Sequence, residues 1–405
     1  MGRLDQLGAI TSVPGEVTRL YLTKEHRAAA DVVAGWMRDA GLAVSHDAAG
    51  TVVGRADGAT SGARTLLIGS HIDTVRNAGR YDGCLGVVLA IEAMAELRRL
   101  GKCLPFAVEV LAFGDEEGVR FPKTLTSSRA VAGTLDDDVL DIKDADGVPL
   151  KEALTKFGCD PAKLKKVARD PGAVLGYVEV HIEQGLVLEA EGLPIGVVTA
   201  ISGANRFRIE VTGKAGHAGT VPMPQRRDAL AGAAEMVLAV ERMARETAGL
   251  VATVGQITAK PGAVNVVAGE AILTLDIRSP VDRTRRRGIQ QIDQELRSIA
   301  RRRHLTVNMV ETYGEKSATC DQRFISHLTT AADALGQTAY GLPSGAGHDG
   351  LAMIKLCPIG MLFVRCKGGV SHHPDEAVKA DDVEIATRTL MEFLVRVCTT
   401  GRAIA

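Results

Sequence analysis

Four short apolar runs in this chain each end in histidine or carboxylate. TLLIGS (65–70) leads into His71 and Asp73, and FAVEVLAF (106–113) leads into Glu116 and Glu117. YVEVHI (177–182) carries His181 at its end, and IGMLFV (359–364) is followed by Ser371, His372 and His373. Continuous apolar runs of this length read as buried strands. In an open α/β sheet, ligands collect at the carboxyl edge of the strands, whereas chance would scatter polar residues over both edges. The donors are nitrogen and oxygen, with no thiolate. That mix suits Zn²⁺, with Mn²⁺, Co²⁺ or Ni²⁺ as alternatives. A shared carboxylate can bridge two such ions about 3.5–4 Å apart, as hydrolytic two-metal sites require.

Each segment taken alone has a plainer reading. His71 and Asp73 are two apart, so in an extended chain they point the same way and Asp73 could orient the imidazole; a turn with a capping Asp and a surface His would look the same. Asp82 precedes Gly83 at a helix start, where a helix cap is the simpler assignment. GDEEG (114–118) could be a solvated loop, or Glu116 and Glu117 could divide two tasks, one holding a cation and one handling a proton. His372 and His373 beside Pro374 do not separate into ligand and bystander by spacing.

The elements that must position these residues follow from periodicity. Apolar spacing predicts a helix over 15–41, ended by Gly41, and another over 84–100, closed by Arg98, Arg99 and Gly101. Strands alternating with helices predict an α/β fold with a mostly parallel central sheet. Residues 206–318 read differently: strand 206–212, helix 226–247, strands near 251–259 and 270–278, helix 282–302 and strand 304–311. This βαββαβ order predicts a two-layer domain inserted into the first. The expected division is therefore 1–205 with 319–405, and 206–318.

Composition narrows the function classes. The 405 residues are 46% apolar with a formal charge of −1, so a packed globular chain is expected without general attraction to nucleic acid or anionic membrane. Aromatics at 3% make base-stacking platforms unexpected. The Arg283–Arg303 run, with no interleaved aromatics, reads as a solvated helix face. Seven widely spaced cysteines without a CxxC pair disfavour a disulfide framework and fit a reducing, cytoplasmic compartment. No secretory signal or membrane span is expected.

Six segments together carry a resemblance: GSHIDTVRNAGRYDGCLGV, FGDEEGVRF, YVEVHIEQGLVLEAEGLPIGVV, KAGHAGTVPMPQRRDAL, LPSGAGHDG and GGVSHHPDEAV. In order, from about residue 15 to 395, they resemble the amidase branch of the M20 metallopeptidase family. That branch holds N-carbamoyl-L-amino-acid hydrolases (L-carbamoylases), β-ureidopropionases, and allantoate and ureidoglycolate amidohydrolases. HIEQG and HAGTxPM are characteristic of this branch, and the aminoacylase and peptidase branches differ there.

The resemblance implies roles by position. His71 and His181 hold one divalent ion, Glu117 and His372 the other, and Asp82 bridges them. Glu116 is the general base toward metal-bound water. His217 reaches the substrate carbonyl from the partner subunit of a homodimer built through 206–318. Gln184, Arg206, Asn265 and Arg278 hold the carboxylate and ureido group of a small ureido or carbamoyl acid. His373 stands where the family often has Asn. His372 is taken as the ligand because it follows Ser directly. Val221 for the usual Thr and Ser127 for the usual Gly affect the expected pocket, not the ligands. His348 is a family position without an assigned role. A non-catalytic scaffold protein would have lost the base or ligands, and all are present.

Overall fold

In the computed structural model, which describes residues 1–399, the four apolar runs become adjacent parallel strands. Their spatial order is Ala107–Phe113, Thr65–His71, Val174–Ile182, Ile359–Val364. Three of these are buried along their whole length, and in Val174–Ile182 only Leu175 is less than buried. A strand covered on both faces has no polar side to alternate with, which is why these read as unbroken apolar runs. Antiparallel strands extend the sheet: Val52–Ala56 and Ala43–His46 beyond Ala107–Phe113, and Ile195–Ile201 beyond Ile359–Val364. Helix Cys84–Arg99 packs on Thr65–His71 and Val174–Ile182, and helix Ala380–Thr399 packs on that helix and on Gln322–Ala334.

The chain forms two compact units: Met1–Thr199 with the chain from Thr319 onward, and Ala200–Ala318. In the second, Ile257–Lys260, Glu270–Ser279, Gly203–Thr212 and Thr306–Glu315 make an antiparallel sheet in that order, with Val251–Thr253 also paired to Glu270–Ser279. Strand residues Phe207, Ile209, Leu273, Leu275 and Ile277 share one core with helix residues Met236, Val240, Ile292 and Leu296. Each such side chain contributes roughly 1.5–3 kcal/mol by leaving water.

Several boundaries differ from the periodicity reading. The helix expected over 15–41 is Lys24–Asp39, preceded by a separate helix Gly2–Gly8. The Thr23 side chain caps it by accepting the His26 N–H, and Leu22 at φ 57° cannot continue a helix backward. Arg19 fixes the irregular stretch by donating to the carbonyls of Leu7, Ile10 and Ile72. The helix expected from 226 starts at Ala229, where Asp228 accepts from Leu230 and Ala231 N–H. The strand expected near 251–259 is two pieces on either side of Gly255.

The arginine run lies on helix Asp282–Arg302, with Arg297 paired to Asp293 and Arg302 and Arg303 to Glu235. Arg285 corrects the solvated-face reading, because it is 4% exposed and donates to Asn205. The other six cysteines are free, and the Cys398 side chain lies outside those described. Among the described residues no helix is long and apolar enough to cross a membrane.

Candidate metal centre

Parallel strand order brings three sequence-distant segments to one sheet edge. His71 ends its strand, and His181 is the penultimate residue of Val174–Ile182. Asp82 lies just before helix Cys84–Arg99, but it is not the cap expected from sequence alone. Gly83 occupies the N-cap position at φ 63°, a conformation suited to glycine. A Cβ on Gly83 would fall 2.4 Å from the His71 ring, so the helix can start beside that imidazole only without a side chain there.

The two oxygens of Asp82 face different histidines. Oδ1 is 3.0 Å from His181 Nε2 and 3.6 Å from His71 Nε2, whereas Oδ2 is 3.1 Å from His372 Nε2. Glu117 Oε2 lies 3.5 Å from the same His372 nitrogen. Of four groups of potential ligand atoms among the described residues, each with its atoms within 4.8 Å of one another, two share Asp82, His71–Asp82–His181 and Asp82–Glu117–His372; the others are His71–Glu116–Glu117 and Glu179–His181–His348. A carboxylate with one oxygen in each of the two groups that share it is what a bridging ligand requires. The far nitrogens are tied to backbone: His71 Nδ1 lies 3.1 Å from the Asp73 carbonyl, and His181 Nδ1 2.9 Å from the Ile182 carbonyl. With Nδ1–H donating to a carbonyl, each ring points Nε2 inward at Asp82, where its proton can be exchanged for a cation.

The Glu116–Glu117 pair is set by Asp73, whose carboxylate accepts both backbone N–H groups at 3.3 and 3.4 Å. Asp115, at φ 66°, turns the chain there and accepts the Thr126 hydroxyl. Glu116 Oε2 is 4.0 Å from His71 Nε2. His372 also sits at positive φ, 56°, which turns its ring toward Asp82. His373 turns away, with Nδ1 accepting the Asp375 N–H at 3.2 Å. Geometry thus separates the two histidines that spacing left equivalent.

The electrostatics fit a cation. Burial alone would raise the Asp82 carboxyl, but hydrogen bonds from His181, His372 and His71 hold it well below the usual range. The Asp82 hydrogen bond lifts His372 to about 9, and burial lifts Glu117 to about 7. Burial raises Glu116 well above the carboxylate range, and Glu117 and Asp349 add to it. Crowded carboxylates retain protons because the site is strongly negative, and divalent cations compete for the same atoms. Glu117 Oε1 is buried without a hydrogen-bond partner. This orphaned oxygen, the N/O donor set and the split Asp82 carboxylate all fit two divalent ions.

Gln184, expected to meet substrate, donates from Nε2 to Asp82 Oδ2 at 2.9 Å and to Ser371 Oγ at 3.0 Å; its Oε1 is buried without a partner. Ser371, which precedes the two histidines and whose spacing suggests no role, places its hydroxyl 3.1 Å from Asp82 Oδ2. His348 is buried beside His181, with ring centroids 4.4 Å apart, and its Nε2 lies 2.7 Å from Ser344 Oγ.

In the second unit, His217 is exposed on a two-residue ladder with Val266–Val267, and the Ala218 N–H donates to the Asn265 carbonyl at 2.8 Å. This ladder brings His217 and Asn265 together. Arg206 and Arg278 share Asp276, at 3.0 and 2.7 Å. Burial would raise the Asp276 carboxyl, but these two guanidinium groups lower it.

A family profile described as Peptidase family M20/M25/M40 matches residues 67–396. The chain is 41% identical over 389 residues to an N-carbamoyl-L-amino acid amidohydrolase of Geobacillus stearothermophilus, covering 96% of this chain and 95% of that one. It is 40% identical to allantoate deiminase 1 of Glycine max, covering 97% and 88%. A solved hydantoinase/carbamoylase family amidase from Burkholderia multivorans aligns with a TM-score of 0.91 at 32% identity, covering 98% and 96%.

Proposed function

The chain belongs to peptidase family M20/M25/M40, and from that premise we propose that it is a metal-dependent amidohydrolase. It cleaves the ureido or carbamoyl C–N bond of N-carbamoyl-L-amino acids or related ureido acids. The observation that carries this reading is the Asp82 carboxylate, with Oδ1 among His71 and His181 and Oδ2 at His372.

We assign His71 and His181 to one divalent ion, Glu117 and His372 to a second, and Asp82 to both. Zn²⁺ is the first choice for this donor set, with Mn²⁺, Co²⁺ or Ni²⁺ as alternatives. Divalent ions there supply Lewis acidity to a carbonyl oxygen and lower the pKa of water. Glu116 takes a proton at its carboxylate from the attacking water and returns it to the departing nitrogen. The water oxygen bonds to the carbamoyl carbon as one C–N bond breaks, and the carbamic acid that remains loses its other nitrogen as CO₂ forms, so that the free amine, CO₂ and ammonia are the products. His217 donates to the developing oxyanion of a partner subunit's substrate, in a homodimer formed through 206–318. Gln184, Arg206, Asn265 and Arg278 hold the substrate's carboxylate and ureido group, the arginines by parallel hydrogen bonds. The free cysteines support a reducing, cytoplasmic setting.

Allantoate is the second reading, favoured by 40% identity to an allantoate deiminase. Metal-free protein reloaded with Zn²⁺, Mn²⁺ or Co²⁺ and offered N-carbamoyl-L-amino acids, β-ureidopropionate and allantoate should release ammonia from one class. Release from none, with an N-acyl amino acid cleaved instead, would replace the ureido assignment by an aminoacylase.

A further inference from the structure

Beside Asp82 stands a second buried acid, Glu376, which sequence spacing gave no role. It is 5% exposed and lies four residues after His372, in the turn SHHPDE. Its Oε1 accepts the backbone N–H of Tyr81 at 2.8 Å and of Asp82 itself at 3.1 Å. Its Oε2 accepts the Ser371 hydroxyl at 3.0 Å, and the same Ser371 oxygen is 3.1 Å from Asp82 Oδ2. The Glu376 N–H donates to the His373 carbonyl at 3.0 Å, closing a turn directly after the two histidines. One side chain therefore joins the loop that presents Asp82 to the turn that presents His372, segments almost 300 residues apart.

The surroundings are shaped for this carboxylate. A Cβ on Gly79 would lie 2.2 Å from the Glu376 carboxyl, so any side chain at 79 would displace it. Three donors converge on Glu376, and it belongs to none of the groups of potential metal ligands among the described residues.

We propose that Glu376 is a positioning residue for the Asp82 carboxylate, locking the Asp82 loop to the His372 turn so that both groups of ligands share one fixed carboxylate. This rests on the two-metal reading above. Asp82 can serve both groups only if its backbone is held while its oxygens diverge. Hydrogen bonds behind ligands commonly set metal affinity by such preorganisation.

Substitution chemistry makes the idea sharp. In E376Q, Oε1 can still accept both backbone N–H groups while Nε2 donates to Ser371 Oγ, whose hydrogen then turns to Asp82. E376A leaves two buried N–H groups without an acceptor and frees the two segments from each other. The experiment is calorimetric titration of Co²⁺ into metal-free protein, with the visible Co²⁺ absorption recorded in parallel and thermal unfolding measured without metal. E376A should bind Co²⁺ about 10–100-fold more weakly than wild type, with an altered absorption band. E376Q should stay close to wild type in both, and Gly79→Ala should behave like E376A by pushing the carboxylate aside. If E376A fails to fold, Gly79→Ala decides. Equal affinity and spectrum in wild type and the disrupted variant, with only thermal stability reduced, would reduce Glu376 to a structural clamp and overturn the proposal. E376Q as weak as E376A would also overturn it, because charge rather than hydrogen-bond geometry would then matter. A wild type that takes up no divalent ion would instead overturn the metal centre, and this inference with it.

Discussion

In the unit that carries the parallel strands, His71, Asp73, Asp82, Glu179, His181 and Asp349 are almost inaccessible; among the described residues of 200–318 the buried polar residues are Ser202, Ser279 and Arg285. Both units are well packed, so the contrast is not one of core quality. The second unit follows the ordinary rule: apolar side chains inside, with Arg206 and Arg278 paired around Asp276 outside its core. The first departs from it most densely at one sheet edge, although Arg19 and His26 are buried elsewhere. Buried ionisable groups cost several kcal/mol unless something offsets them. Backbone strain gathers there too, since Asp115, Gln184 and His372 all have positive φ, at 66°, 56° and 56°. A sheet edge that concentrates both costs is where a ligand provides the compensation.

If that contrast is right, substitutions of equal size should act very differently in the two units. The largest loss belongs to Asp82→Ala, which removes the carboxylate common to both ligand groups. Turnover should fall by more than the ~10²–10⁴-fold that a proton-transfer group is worth. Ammonia-release assays at saturating metal check it, and rescue by excess metal would argue against a bridging role.

Next comes Glu116→Gln, which keeps the shape and removes the base. We expect a ~10²–10⁴-fold drop in kcat with metal content unchanged, whereas Glu117→Ala should lose metal as well as rate. Metal analysis of the two purified variants separates them, and equal metal loss in both would mean that the pair is assigned wrongly.

On the proposed function, the second unit contributes through His217. His217→Ala should lower kcat by ~10²–10³-fold, the worth of one oxyanion donor, and leave metal uptake untouched. Mixing His217→Ala with Glu116→Gln subunits should restore up to about half the wild-type rate per heterodimer, because one of two sites regains both groups. Confirmed heterodimers without activity would reject action across subunits.

The smallest effect concerns stability away from the metal centre. Burial pushes His26 down from 6.5 to about 3, and the nearby Arg19, Arg120 and Arg27 charges add to it. Between these values the unfolded chain binds a proton that the folded chain does not. The stability from keeping His26 neutral is therefore complete above about 6.5 and drains as pH falls toward 3. Denaturant unfolding should show a loss of on the order of a few kcal/mol between pH 7 and pH 4 that His26→Gln flattens. An unchanged acid limb in that variant would assign the loss to other groups.

The sequence exposed the parallel strands because burial on both faces leaves an apolar run, and it exposed the candidate ligands because most of them follow those runs. Val52–Ala56 and Ile195–Ile201 went unread, although both are largely buried. The first is only five residues long with Gly54 and Arg55 inside it, and the second has Gly196 and Thr199 within its apolar positions. The start of the helix at Lys24 was hidden because the residues before it carry helical spacing, while Arg19 binds three carbonyls and holds them irregular. His372 and His373 could not be separated by spacing, since which ring meets Asp82 is set by the backbone of the turn, where His372 has φ 56°. Ser371 and Glu376 stood in view within SHHPDE, but their partners lie in a loop almost 300 residues earlier, which no local pattern reveals.

The central claim is that Asp82 divides its oxygens between two metal ions. Crystals of the Zn²⁺-loaded protein measured on either side of the zinc absorption edge test it directly. The account predicts two anomalous peaks per chain, one among His71, His181 and Asp82 and one among Asp82, Glu117 and His372. A single peak, or a peak at the other buried group of potential ligands, Glu179, His181 and His348, would contradict it.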